Sequence, residues 1–204
     1  HPLCIGKKQD SYVFASETVA LDIIGADFIR EVRPGEIVVV NEGELSSIQT
    51  EAPKESKMCI FEFVYFARPD SVIEASSVYE SRVEAGKLLA REHPVEADLV
   101  IGIPDSGLAA AIGYSKESGI PHGDGLMKNR YIGRTFIQPS QAMREQAVRL
   151  KLNPIKSQIE GKKIIIIDDS IVRGTTSKRI VKMLKDAGAK EVHLRISSPP
   201  VLYP

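Results

Sequence analysis

Apolar and polar residues follow different patterns in the two parts of the chain. Up to about residue 68 the apolar runs are short and turn residues separate them. Short apolar runs of this kind are typical of β-strands. The first part of the chain is therefore predicted to be rich in strands, at residues 12–15, 28–32, 37–40 and 58–66.

From about residue 71 onward, helix-like and strand-like segments alternate. The strand-like run over residues 163–167 is rich in isoleucine, which is typical of a strand buried on both faces. The alternation predicts an α/β fold, with a mainly parallel sheet flanked by helices on both faces. Predicted helices cover residues 76–92, 107–117 and 177–187, and predicted strands cover residues 98–103, 163–167 and 191–197.

Composition narrows the class of protein. Lys and Arg together number 27 and Asp and Glu together number 27, so the net charge gives no support to non-specific nucleic-acid binding. Two cysteines cannot build a disulfide framework, and no apolar run approaches the roughly 18 residues of a membrane span. We expect a cytoplasmic protein without nucleic-acid or membrane partners. Because the chain begins at His1, we expect it to be a processed protein or a fragment.

One stretch departs from this charge balance. Basic residues outnumber acidic ones between residues 123 and 153, where Asp124 and Glu145 are the acids. The stretch is either a solvated loop and helix or a mobile lid over an anionic ligand. Its basic residues are Lys128, Arg130, Arg134, Arg144, Arg149 and Lys151.

Residues 164–177 carry the most informative motif. Four isoleucines end at Asp168 and Asp169, and Gly174-Thr-Thr-Ser begins a predicted helix shortly afterwards. Ligands of open parallel sheets bind beyond the carboxyl ends of the strands, where paired carboxylates can meet a divalent cation or a diol. A glycine turn at a helix N-terminus exposes N–H groups to a phosphate. The motif predicts a sugar-phosphate site, and the absence of Walker A and dinucleotide fingerprints argues against an NTPase or a dehydrogenase.

Residues 164–177 resemble the phosphoribosyl-diphosphate (PRPP) motif of type I phosphoribosyltransferases. Residues 66–71, 128–136 and 169–177 are similar to those of the glutamine PRPP amidotransferases within that group. The resemblance implies a type I phosphoribosyltransferase-like domain over residues 49–204, truncated at its C-terminus. It also implies that residues 1–48 are a β-rich remnant, the closing strands of a glutaminase domain of the N-terminal nucleophile hydrolase class.

The resemblance also assigns roles to individual residues. Lys128, Tyr131 and Arg134 would be catalytic, in a flexible loop that closes on PRPP. Magnesium would contact Ser106, Asp168 and Asp169. The residues implied in PRPP binding are Asp105, Ser106, Gly107, Asp168, Asp169, Ser170, Arg173, Gly174, Thr175, Thr176 and Ser177.

The implied activity is transfer of the phosphoribosyl group from PRPP to glutamine-derived ammonia, the first step of de novo purine synthesis. The resemblance further implies a homo-oligomer. Two other functions stay open: a nucleobase phosphoribosyltransferase, and a regulatory module that binds PRPP without catalysis. Assaying diphosphate release with PRPP, magnesium and ammonium separates the enzyme from the module.

The two cysteines receive different expectations. Cys4 is expected to be a small buried residue rather than the glutaminase nucleophile, so this chain is not expected to hydrolyse glutamine. Cys59 occupies a position that resembles an iron–sulfur ligand in one branch of the family, so the full-length protein would be a candidate for such a cluster. One thiolate cannot hold a cluster, and in this chain Cys59 is expected to pack as an apolar residue.

Overall fold

The computed structural model describes residues 2–50, 55–129 and 152–200. The chain divides into two units, His1–Ser81 and Arg82–Pro204. This division reflects packing and does not decide which residues belong to a glutaminase remnant, so the domain bounds 1–48 and 49–204 stay a prediction.

The first unit begins with a three-stranded antiparallel sheet in the order β2-β1-β3. Its strands are β1 (Cys4–Lys8), β2 (Ser11–Ala15) and β3 (Asp27–Glu31), and helix α1 (Thr18–Ile24) connects β2 to β3. Leu21 of α1 packs with Cys4 and Ala26 in a small core. Cys4 is fully buried, which confirms that it packs as a small core residue.

Two hairpins and a short π-helical segment complete this unit. Strands β4 (Glu36–Asn41) and β5 (Glu44–Gln49) pair in one hairpin, and β6 (Val72–Ile73) and β7 (Ser76–Ser77) pair in the other. The π-helical segment covers Glu62–Phe66. Side-chain oxygens at the start of α1 hold the chain before β6, because the Glu17 carboxylate accepts from Arg68 N at 2.9 Å and from Ser71 Oγ at 2.6 Å.

Part of the sequence interpretation of this region is wrong. The strand predicted over residues 58–66 is instead irregular and then π-helical, because a run of apolar residues without strict alternation is compatible with either structure. Cys59, just before that segment, is exposed and does not pack as an apolar residue. Helix α1 and strand β5 were not predicted, since the β5 sequence is mostly polar and gives no apolar run.

The second unit is built on a parallel sheet in the order β12-β11-β8. Its strands are β8 (Leu99–Gly102), β11 (Lys163–Asp168) and β12 (Glu191–Ile196), and an antiparallel pair is formed by β9 (Leu126–Lys128) and β10 (Leu152–Pro154). Its helices are α2 (Val78–Glu92, which begins in the first unit), α3 (Leu108–Ser118), α4 (Lys156–Ile159) and α5 (Thr175–Asp186).

Helices cover both faces of this sheet, as predicted. On one face, Ile164 and Ile166 of β11 pack with Ile180 and Leu184 of α5. On the other face, Ile165 and Ile167 pack with small residues of α3 and with Tyr114. All four isoleucines are fully buried, which explains why the strand shows no polar alternation. Within the three described ranges, no helix combines the length and the apolar content needed to cross a bilayer.

Helices α2 and α3 touch through glycines. A Cβ added at Gly86 would collide with the Ala110 carbonyl, and a Cβ added at Gly113 would collide with the Val83 carbonyl. The two backbones therefore approach more closely than side chains would permit. This contact anchors the start of α3, which directly follows the loop after β8.

Candidate functional site

Two loops meet at the carboxyl edge of the parallel sheet. The first loop, residues 104–107, follows β8, and the second loop, residues 169–174, follows β11. The Ile103 N–H donates to the Ile167 carbonyl at 2.8 Å, which continues the pairing of the strands to the point where the loops begin. Gly107 lies against the same carbonyl, and a Cβ there would overlap it. The loop of residues 104–107 is thus held directly beside Asp168 and Asp169.

A buried carboxylate joins these two loops. Asp169 is 6% exposed and accepts hydrogen bonds from the Ser106 hydroxyl and from the Ser170 hydroxyl. Ser106 belongs to the first loop and Ser170 to the second, so the carboxylate links them. These three residues, predicted from sequence to be neighbours in a site, are brought together by the structure.

Asp168 is less buried than Asp169, and its environment disfavours the ionised form of its carboxyl group. Burial, and next the negative charge of Asp169, raise the pKa of Asp168 to about 6, while the Asp169 N–H that donates to Asp168 Oδ1 at 3.0 Å acts in the opposite direction. Two adjacent carboxylates of this kind are stabilised by a bound cation or by hydroxyl donors. The pair can therefore receive a divalent cation or the diol of a sugar.

The second loop ends at the N-terminus of α5. Gly174 adopts a left-handed conformation (φ 68°) that a side chain would disfavour, and α5 begins immediately after it. Among the described residues no side chain caps this terminus, so the first-turn N–H groups can meet a ligand. Thr175 and Thr176 in this turn are exposed. Together with the dipole of the helix, this arrangement favours a phosphate.

Two charged residues that were both predicted to bind PRPP, Lys128 and Asp105, form an ion pair with each other. Lys128, the last residue of β9, donates from Nζ to the carboxylate of Asp105 in the first loop. Both side chains are substantially exposed, at 45% and 71%. The sequence predicted both residues in the site but not this ion pair, because they are far apart along the chain.

Some predicted residues are not among those that the structure describes in this cluster. Tyr131 and Arg134 lie outside the described residues, and so does most of the cationic stretch. Burial and the nearby Glu31 and Glu17 raise the pKa of the Cys4 thiol to about 11, which suits a core residue and not a nucleophile. Cys59 lies in the other unit from Asp168 and Asp169 and has no assigned part in their cluster.

Ile171 and Val172 lie in the second loop but were not predicted as site residues. They are 47% and 90% exposed. An apolar dipeptide between Ser170 and Arg173, inside a loop of ligand-binding residues, is the signal that could have drawn attention to them.

A separate open cavity of about 610 Å³ lies near the C-terminal ends of α2 and α3. Two of its lining residues form an ion pair: the guanidinium of Arg91 donates to the Glu117 carboxylate through Nε at 2.8 Å and Nη2 at 3.0 Å. Within the described ranges, none of the predicted site residues lines this cavity. Arg91 and Glu117 neutralise each other, and Glu96 adds a negative charge to the lining, which does not suit an anionic ligand. The cluster at the sheet edge is therefore the better candidate site.

Comparison with known proteins identifies a family and several similar proteins. Residues 82–197 match the family described as phosphoribosyl transferase domain. Proteins named amidophosphoribosyltransferase are similar along the whole chain: 56% identical over 203 residues in Archaeoglobus fulgidus, 58% over 206 in Synechocystis sp. and 54% over 203 in Bacillus subtilis. The chain spans 44%, 42% and 43% of the lengths of these relatives.

Two solved structures are also similar over 100% of this chain, each with a TM-score of 0.91 and 54% identity. One is described as the allosteric regulatory enzyme of purine biosynthesis, and the chain covers 44% of it. The other is the glutamine PRPP amidotransferase of Bacillus subtilis complexed with ADP and GMP, and the chain covers 45% of it.

Proposed function

The chain belongs to the phosphoribosyltransferase family, and we propose that the protein transfers the phosphoribosyl group of PRPP to ammonia, giving 5-phosphoribosylamine and diphosphate. The type I phosphoribosyltransferase fold supports this activity, and so does the whole-chain similarity to amidophosphoribosyltransferases. The chain spans less than half of those relatives, so the activity is proposed for the complete protein.

One observation carries the proposal. Asp169 is buried and shared by Ser106 and Ser170, and the uncapped N-terminus of α5 follows in the same loop. Carboxylates for a diol, beside helix N–H groups for a monophosphate, fit a ribose 5-phosphate. The first loop, residues 104–107, begins at the end of the adjacent strand β8 and can hold the diphosphate.

Each part of PRPP then has a partner. Asp168 and Asp169 would accept from the ribose hydroxyls, and Gly174, Thr175, Thr176 and Ser177 would donate to the 5-phosphate, with Arg173 nearby. The diphosphate would lie on the loop of Asp105, Ser106 and Gly107. Lys128 would contact it after leaving Asp105, together with Tyr131 and Arg134.

Magnesium fits the donor set at this edge. Carboxylate and hydroxyl oxygens are the ligands that Mg²⁺ prefers, and it commonly retains water and binds substrate phosphates. Among the described residues, no group of three or more His, Cys, Asp and Glu could hold a metal, so substrate oxygens would complete the coordination. We propose that Ser106, Asp168 and Asp169 hold the ion, which would neutralise charge on the departing diphosphate.

The chain's own residues would act by binding and orientation. No side chain is required as a covalent nucleophile, because ammonia attacks the anomeric carbon directly. Lys128 and Arg134 would stabilise the negative charge that develops on the leaving diphosphate, each charged hydrogen bond contributing about 1.5–3 kcal/mol. Exclusion of water would suppress hydrolysis.

Several wider assignments belong to this proposal. Residues 1–48 would be the closing strands of a glutaminase domain that supplies the ammonia, and the product would enter purine synthesis in the cytoplasm. The protein would form a homo-oligomer. Cys59, exposed on the first unit, would be a candidate ligand of an iron–sulfur cluster in the full-length protein.

The proposal is tested on the complete protein with PRPP, Mg²⁺ and ammonium chloride. We expect ammonium-dependent release of diphosphate, and at least a tenfold loss of PRPP affinity in the double variant Asp168→Asn/Asp169→Asn, because charged contacts are lost. Asp10→Asn, in the exposed turn between β1 and β2, is the matched control. Unchanged PRPP affinity in the double variant would refute the assignment.

A further inference from the structure

The second loop of the site exposes two apolar side chains. Val172 is 90% exposed and Ile171 is 47% exposed, whereas the isoleucines of β11 just before them are fully buried. Burial is what makes an apolar side chain stabilise a fold, so Val172 contributes little to stability where it lies. Its place inside the site loop suggests a role in the chemistry.

The dipeptide lies between the two groups that hold the sugar phosphate. In the proposed function, Asp168 and Asp169 hold the ribose hydroxyls and the first turn of α5 holds the 5-phosphate. Ile171 and Val172 lie in the chain between these two groups and are exposed. We therefore expect their side chains to face the part of the ring that neither group occupies.

This part of the loop offers no base. The side chains of Ile171 and Val172 cannot hydrogen bond, the Ser170 hydroxyl donates to Asp169, and the guanidinium of Arg173 is only a donor. Water attacks carbon weakly unless a base removes its proton, whereas ammonia has a nucleophilic lone pair and needs no base. A water molecule at an apolar wall also loses hydrogen bonds that it would keep beside a polar side chain.

We propose that Ile171 and Val172 form an apolar wall on the acceptor side of the site, which favours a small neutral amine over water; this rests on the proposed function. The nitrogen lone pair forms the bond to the anomeric carbon as the bond from that carbon to the diphosphate oxygen breaks. Diphosphate leaves with the electron pair, and the new ammonium group loses one proton to solvent. Beside these apolar side chains, a water molecule finds neither a hydrogen-bond partner nor a base to remove its proton, so it competes poorly with ammonia for the anomeric carbon.

The test adds a hydroxyl without changing shape. Val172→Thr keeps the β-branched shape and replaces a methyl group by a hydroxyl, which can hold and orient a water molecule. Diphosphate release by the complete protein, with PRPP and Mg²⁺, is measured without and with ammonium chloride, and the ratio of the two rates reports the competition of water with ammonia. We expect this ratio to rise about five- to tenfold, the effect of one hydrogen bond, and to rise further in Val172→Asp, which supplies a base.

Two controls separate this effect from others. Val39→Thr makes the same change at a 40%-exposed valine of β4, in the other unit, and keeps the wild-type ratio. Calorimetric titration of each variant with PRPP shows whether binding itself has changed. A Val172→Thr ratio equal to that of the wild type, with PRPP bound normally, overturns the wall and leaves the proposed function intact. Wild-type diphosphate release that does not depend on ammonium overturns the proposed function itself.

Discussion

Gly107→Ala tests how the two loops of the site are held together. Gly107 has φ −76° and ψ −10°, which alanine adopts without strain, so backbone conformation does not require glycine here. Space does. The new Cβ would overlap the Ile167 carbonyl oxygen and would lie 3.0 Å from both the nitrogen and the oxygen of Ile103.

The loss of stability in Gly107→Ala can be worked out from the backbone groups that the new methyl group displaces. Inserting a methyl group into backbone that cannot retreat costs about 1–3 kcal/mol. The hydrogen bond from Ile103 N–H to the Ile167 carbonyl, 2.8 Å long, would be lost or lengthened at about 1 kcal/mol. We therefore expect a loss of about 2–4 kcal/mol in the free energy of unfolding, by addition of these two effects.

The same displacement would carry the Ser106 hydroxyl away from Asp169, so PRPP affinity should fall about tenfold or more. Urea unfolding measures the first effect and calorimetric titration with PRPP and Mg²⁺ measures the second. Gly119→Ala is the control, because Gly119 has φ 74° with nothing within 4 Å of a Cβ. It should lose about 1 kcal/mol of stability and no affinity. Wild-type stability and affinity in Gly107→Ala would show that the loops are not held as described.

Three further outcomes follow from other parts of the molecule. In native protein Cys59 should react with a thiol reagent at pH 8 while Cys4 does not, because Cys4 is buried and its pKa is raised to about 11; equal rates would contradict this. The Arg30 fork holds the pKa of Glu36 down at about 2, so its stabilising effect is complete above pH 4.5 and disappears as the pH falls towards 2; Glu36→Gln should therefore lower stability at pH 7 but not at pH 2 in chemical unfolding. Gly113→Ala should destabilise the α2–α3 contact by about 1–3 kcal/mol without changing the cysteine reactivities, and unchanged thermal unfolding would refute the close approach of these helices.

The parallel sheet was predictable because its signals are local. The isoleucine run over residues 164–167 is stabilised by burial on both faces, and the structure covers both faces with helices. Helix α5 was predictable from its amphipathic pattern. The segment over 58–66 was predicted wrongly because its apolar run has no clear period, and packing alone decides between a strand and a helix there.

The sequence by itself determined the chemistry at the sheet edge: which carboxylates end β11, and that a glycine and hydroxyl residues begin α5. Only the tertiary structure decided which groups meet. It buried Asp169 between Ser106 and Ser170, paired Lys128 with Asp105, and left Cys59 and Val172 exposed. The physical reason is range: helix and strand preferences act between residues a few positions apart, whereas hydrogen bonds and burial depend on distances that folding alone sets between remote parts of the chain.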